Sequence, residues 1–307
     1  MSAATVSRPS RRLRRAHAAE RRSAWMLLLP LVVLFLLFFA APIGLAAIES
    51  LTVTTSSGLG LGEATTKFAG ATHYQAVLSD PGILAGFGRV LLIGLIQVPT
   101  MLILATIMAL LFDSGMVKLR AFFQTSAFLP HAIPGVVSAL LWSALYLPQV
   151  SPIVRGLEAL SVNADFLGSN VVLFSIMNMT TWEWTGYNMI ILYTALQSIP
   201  REVLESAEVD GASRIKTALQ IKLPLIVPGL VVTTMFSIIG SLQQFAAPMV
   251  LRAITNSVDS RFTPNLAVYS LAAEGSQGQA SALSLVIAAL ALVLSLGVLQ
   301  LQKVRDR

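Results

Sequence analysis

The chain has no cysteine, so neither a disulfide framework nor thiolate chemistry is open to it. It has no GxxxxGK[ST] phosphate loop and therefore no recognisable nucleotide site of its own. Its three histidines, His17, His73 and His131, are scattered without metal-ligand spacing, and no serine stands in a GxSxG elbow beside a plausible base. These absences leave an enzyme with no catalytic constellation, and no metal or cofactor is expected in the chain. Charge is scarce as well. Only 12% of the 307 residues are Asp, Glu, Lys or Arg, against about 25% in a soluble domain.

What fills the sequence instead is apolar. Hydrophobic residues make up 55% of it and cluster into runs nearly free of charge, each enough for a spanning helix of about 20 residues. Six spans are expected, over 24–48, 87–112, 121–147, 170–198, 224–250 and 279–302, giving an all-α polytopic membrane protein. The basic residues set its orientation. Arg8, Arg11, Arg12, Arg14, Arg15, Arg21 and Arg22 crowd the first 23 residues, a basic tail, and with the 112–121 loop, the 200–224 segment and the C-terminal end they place sixteen of the twenty-one Lys and Arg on one side. That side is expected to be cytoplasmic and to hold both termini. The Arg cluster reads as a topology anchor rather than a nucleic-acid site, and Ala24–Ile48 is too long for the apolar region of a cleaved signal. Residues 24–307 are expected to form one permeation domain. Its outer connections are read as a Gly/Ser/Thr-rich loop over 51–80, a loop over 148–169 with a short amphipathic helix, IVRGLEAL, and a polar, turn-rich loop over 252–278.

The segment Pro200–Pro224 is a polar interruption of about two dozen residues between two spans, longer than a connection needs to be. Glu202, Glu205, Glu208 and Asp210 precede Gly211; Arg214, Lys216 and Lys222 follow it. Acidic residues near a helix start and basic ones near a helix end complement the helix dipole, and glycine between them permits a bend. The expectation is helix, turn, helix at the membrane surface, binding something.

Ionisable and polar groups inside spans are costly and default to pathway candidates. Glu183 is the only carboxylate well inside a span; Trp182 and Trp184 flank it and Tyr187 lies a turn further on. A carboxylate beside aromatic faces suits a sugar, accepting hydroxyl hydrogen bonds while the rings pack on C–H faces. Ser237, Ser241 and Gln244 share one helical face, with Gly240 beside them. Helix–helix hydrogen bonding and an interfacial tryptophan belt are the alternative readings. His131, between Pro130 and Pro134, is expected in the first turns of a helix as a packed or cavity-facing residue, and Gln97 beside Pro99 marks a helix irregularity.

Glu205-Ser206-Ala207, Asp210-Gly211-Ala212 and Ile221-Lys222-Leu223-Pro224 together resemble the EAA loop of membrane subunits of ATP-driven importers. LQSIP (196–200), WEWTGYNM (182–189), FLPHAIPGVVSALLW (128–142) and GQASALS (278–284) resemble the carbohydrate subclass, of maltose and glycerol-phosphate permease type. The resemblance covers most of the chain from Ala24. It departs at Ser206, at Ile215, Ala218 and Leu219 where the family commonly has aromatics, and at LRAITNSVDSRFTP, which stands where a glycine-rich external signature is frequent.

The resemblance implies a type I permease fold, half of a permease pair, with a second permease (a heterodimer), a homodimeric cytoplasmic ATPase carrying ATP and Mg, and an extracytoplasmic solute-binding protein. It implies a home in a bacterial or archaeal cytoplasmic membrane. Glu205, Ala207, Asp210, Gly211, Ala212, Ile221, Leu223 and Pro224 would couple to the ATPase: Glu205 by a polar contact, Gly211 by the turn, Ala207 and Ala212 by close approach, Pro224 by starting the next span. Sugar contacts carry over onto Glu183, Trp184, Tyr187, Ser237, Gly240, Ser241 and Gln244. The alternative is an ion-coupled secondary carrier, which would need inverted repeats and coupling groups; only Glu183 and His131 offer themselves.

Overall fold

A computed structural model describes residues 25–56 and 64–305; the basic tail and the glycine-rich tip at 57–63 lie outside the described residues. The chain is mostly helical. Helix α1 (Trp25–Ser50) passes through a π turn at Leu36–Ala40. A hairpin follows, β1 (Thr52–Ser56) against β2 (Ala64–Phe68), antiparallel with Thr52 opposite Phe68. Then come α2 (Thr72–Ser79), α3 (Pro81–Asp113), α4 (Arg120–Ala132), α5 (Gly135–Tyr146), α6 (Pro152–Ala159), α7 (Val172–Gln197) and α8 (Arg201–Val209). A composite α9 (214–225) runs from Arg214–Thr217 through a π turn at Ala218–Lys222 into Leu223–Leu225. The chain finishes with α10 (Val227–Leu242), α11 (Ala246–Arg252), α12 (Pro264–Ala273) and α13 (Gln277–Arg305).

Among the described residues, four stretches are long and apolar enough to cross a membrane: α1, α3, Val227–Arg252 and Gln277–Gln300. The bent pair α4–α5 makes a fifth if counted as one span. Helix α7 has 26 residues, about 39 Å at 1.5 Å per residue, yet Asn178, Thr180, Thr181, Glu183 and Asn188 make it too polar to join them. It packs against α3, α4 and α10, burying Thr180 and Asn188 and half-burying Thr181 and Glu183, while Asn178 donates to the Tyr146 hydroxyl of α5 at 2.8 Å.

Packing explains this order. Ala105 and Ala109 of α3 admit Met189, Leu192 and Leu196 of α7, closing a core with Phe112 and Ile226 at one end of the bundle. Small residues at such contacts let backbones approach where no hydrophobic driving force separates helix from lipid. A second core joins α5, α7, α11 and α12 through Ala139, Ile176, Met179, Leu251 and Leu266. A third sets α12 on α2, α3 and α13 through Val77, Ile83, Ala267 and Leu283. Helix α1 buries only Ser50 and rests by its second half on α13.

Three expectations need correction. The span expected over 121–147 is two helices bent by 98° at Ile133–Pro134, because Pro134 lacks an N–H and biases Ile133 to the extended backbone it adopts (φ −81°, ψ 130°). The span over 224–250 is interrupted at 243–245, and it begins at Val227 after a turn at Ile226 rather than at Pro224. The 252–278 loop is no loose connection. It carries buried α12 and is clamped to the start of α3, where Arg261 pairs with Asp80 at 2.8 Å and Arg89 donates to the Phe262 carbonyl at 3.2 Å while lying over its ring. The amphipathic helix over IVRGLEAL is present as α6.

Candidate functional site

The helical interruptions at 133–134 and 243–245 face the same space. Gly135 opens α5 against Ala246 near the start of α11, where a Cβ on the glycine would stand 3.4 Å from the alanine methyl. Interrupting a helix inside a membrane frees backbone carbonyls, which must find partners. Here α12 and the residue before it provide them: Thr263 Oγ1 donates to the Gln244 carbonyl and Asn265 Nδ2 to that of Gln243, both at 3.0 Å.

Around this crossing lies a cavity of about 300 Å³, lined by Ser138, Thr180, Glu183, Trp184, Gly240 and Gln244 among others. The Glu183 carboxylate sits by Gly135, with Oε1 3.5 Å from where a Cβ would stand. It thus faces the N-terminal turn of α5, whose exposed N–H groups favour negative charge. A smaller cavity of about 30 Å³ lies on the α3 side, sharing the lining residues Thr180, Trp184, Gly240 and Gln244 and adding Gln97, Met101, Ser237 and Ser241. Of the seven pathway candidates, six line these two neighbouring spaces. Tyr187 does not; it packs behind Trp184 at 5.7 Å between ring centroids.

His131 is the penultimate residue of α4, not in a first turn, and its ring stands 4.5 Å from those of both Trp184 and Tyr187. It braces the aromatic wall of the cavity. The sequence places Gln244 on the same helical face as Ser237 and Ser241, yet Gln244 lies past the end of α10, in the interruption. It still reaches the cavity.

The 201–225 hairpin forms a second surface at the end of the bundle where α3 and α7 finish. Gly211 adopts φ +76°, and Ser213 accepts from Lys216 N to cap α9. Ala212 N donates to the Ala207 carbonyl at 2.9 Å, and Ala207 is buried. The outer face shows Glu205 and Asp210 beside Val209 (88% exposed), Ile215 (73%) and Leu219 (56%). Ile221 and Leu223 are half-buried toward the bundle, and Pro224 is exposed.

An anchor here escaped the sequence. Asp113, the last residue of α3, accepts from Gln197 Nε2 at 2.6 Å and from Lys222 Nζ at 2.5 Å. One carboxylate so joins the ends of α3 and α7 to the π turn of α9. Partners 84 and 109 residues apart leave no local signal.

Residues 101–307 match the family model described as binding-protein-dependent transport system inner membrane component. The chain is 28% identical over 312 residues to the lactose transport system permease protein LacF of Rhizobium radiobacter, covering 99% of each. It is 29% identical over 205 residues to the sn-glycerol-3-phosphate transport system permease protein UgpA of Yersinia enterocolitica, covering 66% of the chain and 68% of that protein. Its fold is similar to a chain in the crystal structure of a bacterial ABC transporter involved in the import of the acidic polysaccharide alginate, with a TM-score of 0.77, 23% identity, and 95% and 98% of the two chains covered.

Proposed function

The chain belongs to the family of binding-protein-dependent transport system inner membrane components, and we propose from that premise that it forms half of the translocation pathway for a sugar or sugar-like solute. The observation that carries the solute class is the cavity of about 300 Å³ that sets Glu183 and Trp184 together with Gln244 inside the bundle. A carboxylate and an amide exchange hydrogen bonds with hydroxyls while the indole packs on C–H faces. The functions of the similar permeases, lactose and sn-glycerol 3-phosphate transport, support the same class.

In this reading six helical segments cross a bacterial or archaeal cytoplasmic membrane: the four apolar stretches, the bent α4–α5 pair and α7. The 201–225 hairpin and both termini face the cytoplasm. The hairpin is the EAA loop and seats in a groove of a homodimeric ATPase that binds ATP and Mg, and a second permease completes the pathway opposite this one. Glu205 and Asp210 supply polar contacts, and Val209, Ile215 and Leu219 supply apolar ones where the family commonly has aromatics. Closure of the ATPase pushes α9, and the movement passes to α10. The solute-binding protein delivers substrate at the other end. Energy entering through ATPase subunits removes the need for the ion-coupled alternative.

Co-expression of the four components and uptake by proteoliposomes test this, with lactose, sn-glycerol 3-phosphate and an alginate oligosaccharide as probes. ATP-dependent uptake of at least one is expected. Uptake that persists without ATP and collapses with the proton gradient would sink the reading. Glu183→Gln is expected to lower uptake of the transported probe by roughly 10- to 100-fold, the order for a hydrogen bond to a charged group, while ATPase copurification stays intact. Gly211→Asp should release the ATPase from the purified complex. A non-glycine residue at φ +76° is strained by about 1–2 kcal/mol, and a new carboxylate joins Asp210 at the seat. Undiminished copurification with Gly211→Asp would contradict the hairpin's role.

A further inference from the structure

Gln97 has no part in the pathway set above, yet its side chain ends in that pathway. It is 7% exposed, on α3, and Gln244 across from it is 9% exposed. Gln97 Oε1, Gln244 Nε2 and Ser237 Oγ are buried without a hydrogen-bond partner among the described residues. All three residues line the same cavity of about 30 Å³, the volume of a single water-sized group. A buried polar atom left unpaired is expensive, and three converging on one space indicate a ligand rather than a packing fault.

The neighbours in that cavity are already engaged. Thr180 Oγ1 donates to the Ile176 carbonyl at 2.9 Å, and Ser241 Oγ to that of Ile238 at 2.8 Å. What remains is one acceptor, one donor and one hydroxyl that serves as either. That set fits an oxygen which accepts from Gln244 Nε2 and donates to Gln97 Oε1. Gln97, Ser237 and Gln244 carry no charge, so neither an anion nor a cation is offered a countercharge by these three. The match is to a neutral hydroxyl. Thr180, Trp184, Gly240 and Gln244 line both spaces, so a sugar ring held in the larger one would lie beside the smaller, into which a single hydroxyl would reach.

We propose that Gln97 is a specificity-determining residue that, with Ser237 and Gln244, binds one hydroxyl group of a polyhydroxy solute in transit. This rests on the sugar-class reading above and adds the residue and the group it recognises. The same chemistry is offered by a water, and the arms of the test separate the two sources.

The test uses the complete transporter in proteoliposomes with lactose, sn-glycerol 3-phosphate and an alginate oligosaccharide, followed by monodeoxy analogues of whichever probe is carried. Wild-type protein is expected to disfavour one analogue by about tenfold, the order of one hydrogen bond. Gln97→Leu should lower uptake of the parent by about tenfold and carry the parent and that analogue equally, leaving the ratios for other analogues unchanged. Should Gln97→Leu fail to assemble, Gln97→Asn, which shortens the reach and keeps the amide, is read for the same ratio. Equal losses for the parent and every analogue would mean a structural water only and would overturn the proposal, as would unchanged uptake. No uptake of any probe by the wild type would instead overturn the sugar-class reading, and the subsite with it.

Discussion

Gly186→Ala is expected to destabilise the bundle by about 3 kcal/mol, the upper end of the range for overpacking a core. Gly186 is buried near the middle of α7, and a Cβ there would run into the Ala127 carbonyl and the backbone that follows it on α4. Neither is a flexible side-chain end, so one helix must move away from the other. On an open helical site the same change would favour the helix by about 1 kcal/mol. Gly88 on α3 offers that comparison, since nothing lies within 4 Å of its Cβ position. With each kcal/mol worth about 1.5 °C in a chain this size, from about 2.1 cal/mol/K of unfolding entropy per residue, thermal unfolding in detergent should show Gly186→Ala lower by roughly 5 °C and Gly88→Ala unchanged or slightly higher. Equal melting temperatures for the two variants would refute the close approach of α4 and α7. The cavity should suffer too, because α4 carries His131 behind Trp184 and Tyr187.

Asp113→Ala is the second large effect, and its main readout is functional. The Asp113–Lys222 pair is mostly withdrawn from solvent, with side chains 11% and 16% exposed. Removing one partner of a fully buried pair costs about 3–5 kcal/mol because the other charge is left uncompensated. The residual exposure of Lys222 brings this down to about 2 kcal/mol. Gln197 loses its acceptor as well, so the ends of α3 and α7 are no longer tied to the π turn of α9. Asp113 is a positioning residue in this account. When the ATPase pushes the hairpin, movement should reach α10 without carrying α3 and α7, and solute carried per ATP hydrolysed should fall about tenfold. Asp113→Asn, which keeps an acceptor for Gln197, should lose less. The swap Asp113→Lys with Lys222→Asp should recover part of the ratio. A proportional fall in transport and hydrolysis would signify lost folding alone and contradict this role.

The hairpin was legible because its chemistry is local. Acidic residues, a glycine and basic residues follow one another within 201–222, and the glycine takes the positive φ that the bend requires. Glu183, Trp184, Ser237, Gly240, Ser241 and Gln244 were also legible, as polar groups that lipid would penalise. Ala207, expected to serve close approach by a partner, is buried within the chain, a burial that a small residue in a docking motif does not announce. Gln97 was passed over as a mark of irregularity beside Pro99, because its significance depends on Gln244, 147 positions later in the chain.

The sequence by itself determined the membrane class, the position of most helices, the helix–turn–helix over 201–222 and most of the polar residues that line the two cavities. Each of these follows from composition or from short-range periodicity, which residues near one another in the chain express directly. The tertiary structure alone decided the 98° bend at Ile133–Pro134, the meeting of the two interruptions at Gly135 and Ala246, the Asp113 anchor and the exclusion of Tyr187 from the cavity lining. These depend on which helices lie side by side. Helices in lipid have no hydrophobic preference for one another, so van der Waals fit and a few long-range hydrogen bonds choose the neighbours.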